Sequence, residues 1–118
     1  MKTRCLTLIA GILLSASCNL QERKAPDYLL EQDRMVAVMV DMHLVETAGN
    51  LKLIGPDSTS ARYGEMFASI FETHGVSKMA FDSSLYYYAT QTQQMDSIYD
   101  MVLEELSELE SEVSAGHR

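Results

Sequence analysis

The residues with the most chemical potential lie together in Asp41-Met42-His43-Leu44-Val45-Glu46. On a helix, His43 and Glu46 are three apart and share one face, and Thr47 and Asn50 continue that polar stripe. Asp41 lies about 160° around the wheel from His43, towards Arg34 and Lys52. Glu46 falls among Met35, Met39 and Leu53 and is expected to be partly buried. A buried carboxylate must find a hydrogen-bond partner or be neutralised. The run Tyr86-Tyr87-Tyr88 offers hydroxyls for that purpose.

Three readings of this cluster stand. In the preferred one, His43, Glu46 and a tyrosine such as Tyr87 or Tyr88 form a satisfied polar network that sets helix register. In the second, the stripe lines a groove for a partner peptide or a small ligand. In the third, His43 and Glu46 are two of three or four metal ligands. Helical bundles usually build metal sites from Glu-x-x-His pairs on different helices, whereas this chain has one reversed copy, so no metal or other cofactor is expected. His74 sits at an expected helix end, where a positive charge suits the dipole, and His117 is in the tail.

No catalytic constellation accompanies the cluster. The chain has no Gly-x-Ser-x-Gly elbow, no phosphate-cradling glycine loop and no Cys-x-x-Cys. Asp82-Ser83-Ser84 suits the first turn of a helix and reads as structural. The protein is therefore expected not to be an enzyme.

Four helices must position these residues. The first is expected over 31–54, with Gly55-Pro56 as its stop. Met35, Val38, Met39, Met42, Val45 and Leu53 fall on one side, and Ala37, Val40, Leu44, Ala48 and Leu51 on much of the other. A helix apolar on two sides is buried on two sides, so this one should be central. The second spans about 61–74, capped by Thr59 or Ser60, with Tyr63, Met66, Phe67, Ile70 and Phe71 as its stripe. Gly75 occupies a left-handed C′ position, with Val76 following. Ser77 caps a third helix over 78–90 that buries Phe81, Leu85 and Tyr88. Thr92 caps a fourth that reaches at least Glu112. Its seam of Met95, Tyr99, Val102, Leu106, Leu109 and Val113 is spaced 4, 3, 4, 3, 4. The seam should pack within its own bundle rather than against a second copy, and residues 114–118 should fray. No segment alternates as a strand does. The expected fold is all-α, a compact four-helix arrangement.

The N-terminus carries a different message. A basic Met1-Lys2-Thr3-Arg4 precedes an apolar run from Leu6 to Leu14, and Ser15-Ala16-Ser17 leads into Cys18. Nine apolar residues are too few to span a ~30 Å hydrocarbon core, and the pattern is that of a secretory signal. Cleavage after Ser17 would remove 17 of the 118 residues and leave 101. Cys5 would leave with the signal, making Cys18 the only cysteine of the mature chain. A lone exposed thiol is a liability in an oxidising compartment, and acylation of Cys18 would explain it, with the acyl chains held in the lipid bilayer. The position three before Cys18, usually Leu in such signals, is Ser15, with Leu13 and Leu14 just upstream. The organisation expected is a signal peptide over 1–17, an acylated cysteine and polar tether over 18–30, and a helical domain over 31–118.

Charge narrows the partners. Removing Lys2 and Arg4 from nine basic residues leaves seven against seventeen acidic, a formal net charge of −10. That argues against nucleic acid, whose binding needs clustered Lys and Arg, and against a domain lying flat on an anionic bilayer. The acids concentrate late, at Asp96, Asp100, Glu104, Glu105, Glu108, Glu110 and Glu112, as a solvated helix face would.

Together, the cysteine after small residues, Met35-Val36 with Asp41, His43-Leu44 and Glu46, then Phe81-Asp82-Ser83-Ser84-Leu85 with Tyr87-Tyr88, and finally Ile98-Tyr99-Asp100 with Val102, form an ordered pattern. It resembles the small Bacteroidota lipoproteins grouped as domain of unknown function family 4296, over residues 27–109. The resemblance implies a membrane-anchored helical protein and brings no activity with it. Surface-exported lipoproteins of that phylum tend to carry acids just after the cysteine. Here Asn19-Leu20-Gln21-Glu22-Arg23-Lys24 has one acid and two bases, which places the expected site at the periplasmic face of the outer membrane. The expected function is interaction with a protein partner in the cell envelope, with metal or small-ligand binding at His43 and Glu46 as the alternative.

Overall fold

The computed structural model describes residues 25–51, 53–55 and 60–116. The expected signal sequence, Cys18 and most of the expected tether lie outside them. Four helices run in order: α1 Gln32–Asn50, α2 Ser60–Thr73, α3 Lys78–Ala89 and α4 Thr92–Gly116. No strand occurs among the described residues, and the fold is all-α. α1 packs against each of the other three helices and is the central one.

Local chemistry sets most of the boundaries. α2 ends in a left-handed turn at Gly75, φ +60°. There the Val76 N–H donates to the Phe71 carbonyl at 2.9 Å and that of Gly75 to Glu72 at 3.0 Å, closing the helix as a C′ glycine does. Ser77 then caps α3, its hydroxyl accepting from the Ala80 N–H at 3.1 Å. Lys78 and Asp82, one turn apart, pair across the exposed face of α3.

Three boundaries differ from expectation. α1 stops at Asn50 rather than residue 54, since Gly49 and Asn50 are weak helix formers. The Leu51 N–H makes a last helical bond to the Thr47 carbonyl at 3.0 Å, and the Leu53 N–H then donates five residues back to Ala48 at 2.9 Å, turning the chain out of the helix. Thr92 is the first residue of α4 rather than its cap, and the Gln91 carbonyl accepts from Met95. At the other end α4 continues as helix to Gly116, where fraying was expected.

The core joins Met35, Val36, Val38 and Val40 of α1 to Ile70 of α2, Phe81 and Tyr88 of α3, and Ile98 and Val102 of α4. Phe71 and Phe81 meet across the α2–α3 turn with ring centroids 5.5 Å apart. α1 is buried on two sides only in its first half; Leu44, Leu51 and Leu53 are exposed. The α4 seam is also displaced. Ile98 rather than Tyr99 enters the core, with Met95, Met101 and Leu106 half-buried beside it, and residues 107–116 are exposed throughout.

The end of the tether belongs to the domain, contrary to expectation. Leu30 is buried; its N–H donates to Ser84 Oγ at 2.9 Å and its carbonyl accepts from Tyr88 Oη at 2.7 Å. The structural role expected of Ser84 is thus specific: it holds a backbone group with no helical partner.

Candidate functional site

The structure does not gather Asp41, His43, Glu46, Tyr87 and Tyr88 into one network. Asp41 turns to the far side of α1, where His74 Nε2 donates to its Oδ2 at 2.7 Å. Arg34 reaches the same loop and donates to the His74 carbonyl at 2.9 Å. These two contacts tie α1 to the C-terminus of α2. The Tyr88 hydroxyl is committed to Leu30. Burial, followed by the negative charge of Glu31 and the neighbouring Tyr87, pushes its pKa above the ordinary 10.0. Tyr87 is half-buried with its ring edge-on to Tyr88. Neither tyrosine reaches Glu46 by a hydrogen bond.

His43 and Glu46 instead border an open groove of about 510 Å³. α1 contributes Met39, Met42, His43 and Glu46; α3 contributes Phe81 and Leu85; α4 contributes Tyr99, Val102, Leu103 and Leu106. Eight of these ten side chains are apolar or aromatic, so the groove is a hydrophobic trough with one imidazole and one carboxylate at its α1 edge. Glu46 is exposed, not partly buried as expected. The wheel placed it among apolar residues, but α1 loses its second packed side before that point. An exposed carboxylate keeps its water and needs no protein partner. Glu46→Ala should therefore leave the melting temperature within a degree or two of wild type, as surface substitutions usually do. A fall of several degrees in a thermal melt would restore the structural network.

His43 and Glu46 have no third His, Cys, Asp or Glu in the groove lining, and no set of three able to hold a metal occurs among the described residues. Sequence reasoning placed His43 and Glu46 on a possible groove but missed Tyr99 and Leu103 as its opposite wall. The available signal was Leu103, an apolar residue that the expected α4 seam left unused.

A family model described as "Domain of unknown function (DUF4296)" matches residues 26–112. The chain belongs to this family. No curated protein and no solved structure matches it. The matched region starts at Pro26 and so takes in the Leu30 clamp as well as the helices, which sets the start of the DUF4296 domain before α1. Many of the residues that carried the resemblance have a distinct place in the fold. Met35, Val36 and Ile98 are core, Ser84 and Tyr88 hold Leu30, and His43, Glu46, Phe81, Leu85, Tyr99 and Val102 line the groove.

Proposed function

We propose that this DUF4296 protein is a non-enzymatic binding module, held at the cell envelope by lipid on Cys18, whose groove receives apolar side chains of a protein partner. The observation that carries this reading is the groove itself. Its volume lies in the ~300–1,000 Å³ range of binding clefts. Tyr99 and Leu103, 50% and 64% exposed, present to solvent an apolar wall that a contact would cover. Met39 and Met42 on the facing wall are flexible enough to adapt to the shape of what enters. The anchor is supported by the apolar run and small residues before a single mature cysteine.

A photo-crosslinking residue at position 103 of the full-length protein, in cells that make it, tests both parts. Irradiation should give a discrete protein adduct from position 103 and none from Glu72, exposed on α2. The adduct should be found in the membrane fraction, and Cys18→Ser should move the protein out of it. Silence at position 103 would remove the docking role. Unchanged membrane partitioning of Cys18→Ser would remove the anchor.

A further inference from the structure

We propose that the groove's occupant is a basic amphipathic helix of the partner protein, apolar face inward and Lys/Arg at its margins; this rests on reading the groove as a protein-docking site. Shape points to a helix. The trough lies between α1 and α4, and its α4 wall continues past Leu106 into ten exposed residues. An apolar trough walled by Met39 to Glu46 of α1 and Tyr99 to Leu106 of α4, two turns on each side, suits helix-in-groove recognition, in which anchors at i, i+3, i+4 and i+7 fill the trough.

Charge selects the kind of helix. No Lys or Arg lines the groove, and Glu46 stands at its α1 rim. On α4, Asp96 precedes Tyr99 by three residues, and Glu110 follows Leu106 by four and Leu103 by seven. Both therefore share the groove side of the helix. Asp100 lies about 60° around the helix from Leu103, and α4 has no basic residue at all. Among the described residues, Arg34 donates to His74 and Lys78 pairs with Asp82. An apolar trough with an acidic margin attracts a positive partner and repels a negative one. A second copy of this chain, formal charge −8 for the full sequence, would bring acid against acid.

The test uses full-length protein in nanodiscs of neutral lipid, with empty discs subtracted, and two helical peptides about five turns long. They share one Leu/Phe stripe; one carries Lys and the other Glu on the remaining faces. The Lys peptide should bind at least about tenfold more tightly at low salt, and the gap should narrow as salt screens it. Leu103→Asp should abolish that binding although it adds a negative charge, since the anchor's seat is lost; Leu103 is exposed, so the fold survives. Glu46→Gln should weaken the Lys peptide alone. Equal binding of the two peptides, abolished by Leu103→Asp, would overturn the basic partner while leaving the docking groove intact. Sedimentation showing a dimer that Leu103→Asp dissociates would replace the partner with a second copy. Lys-peptide binding unchanged or strengthened in Leu103→Asp, or no binding above empty discs, would overturn both groove and partner.

Discussion

Ile98→Ala should destabilise the protein by ~2–5 kcal/mol, while Tyr99→Ala, one residue along, should cost about 1 kcal/mol or less. The two side chains differ by 100° around α4, and the structure puts that difference to full use: Ile98 is 0% exposed and Tyr99 50%. Truncating Ile98 removes apolar atoms from water-free surroundings and leaves a cavity that the neighbours on α1 and α3 only partly fill. A small domain has ~5–15 kcal/mol of stability in total. The melting temperature should thus fall by on the order of 10–20 °C. Tyr99 sits in the groove wall, where the lost area is half in contact with water already. Its truncation should show in partner binding and hardly in a thermal melt. Equal losses for the two variants would return Tyr99 to the core and dissolve the groove.

The second large effect concerns Leu30. Ser84→Ala removes the acceptor of its N–H, and Tyr88→Phe removes the donor to its carbonyl. Either leaves a buried backbone group unsatisfied, at ~1–3 kcal/mol. The double variant should cost less than the sum, because the first loss lets the segment lift and water reach the second group. Urea midpoints of the four proteins measure this directly, and strict additivity would show that the two bonds do not share one segment. Tyr88 adds a dependence on alkali. Its pKa is raised in the fold by burial first, so the folded state holds the phenolic proton more tightly than the unfolded chain does. This contribution is complete below pH about 10, the unfolded value, and is lost as pH rises through the folded one. Wild type should weaken through this range more steeply than Tyr88→Phe.

Much of the fold was legible because its signals are local. Gly75 with Val76, Ser77, and the apolar stripes of α2 and α3 each depend on a few neighbouring residues, and all appear where the sequence placed them. The errors occur where a distant element decides. A 4-3-4-3-4 seam on α4 presumes a partner of equal length, but α1 ends at Asn50; Ile98 takes the place expected of Tyr99, and Leu109 and Val113 are exposed. The same shortfall created the site. Where α1 is packed on both sides, its residues are core; where one side opens, Met42, His43 and Glu46 face a trough. Glu46 read as buried because a helical wheel carries no information about where the neighbouring helix stops. Leu30 read as tether because its two partners are 54 and 58 residues away.

The Leu30 clamp also determines how the domain bears a load. A pull from the N-terminal side of a helix ordinarily peels its first turn, one hydrogen bond at a time. Here the strain reaches Leu30 before it reaches Gln32, and Ser84 and Tyr88, one turn apart on α3, take it up together. Force is thus shared between α1 and α3 at the point of entry, and α1 is spared until both bonds part. A pull on the N-terminal side therefore meets a pair of side-chain hydrogen bonds before it meets the end of a helix.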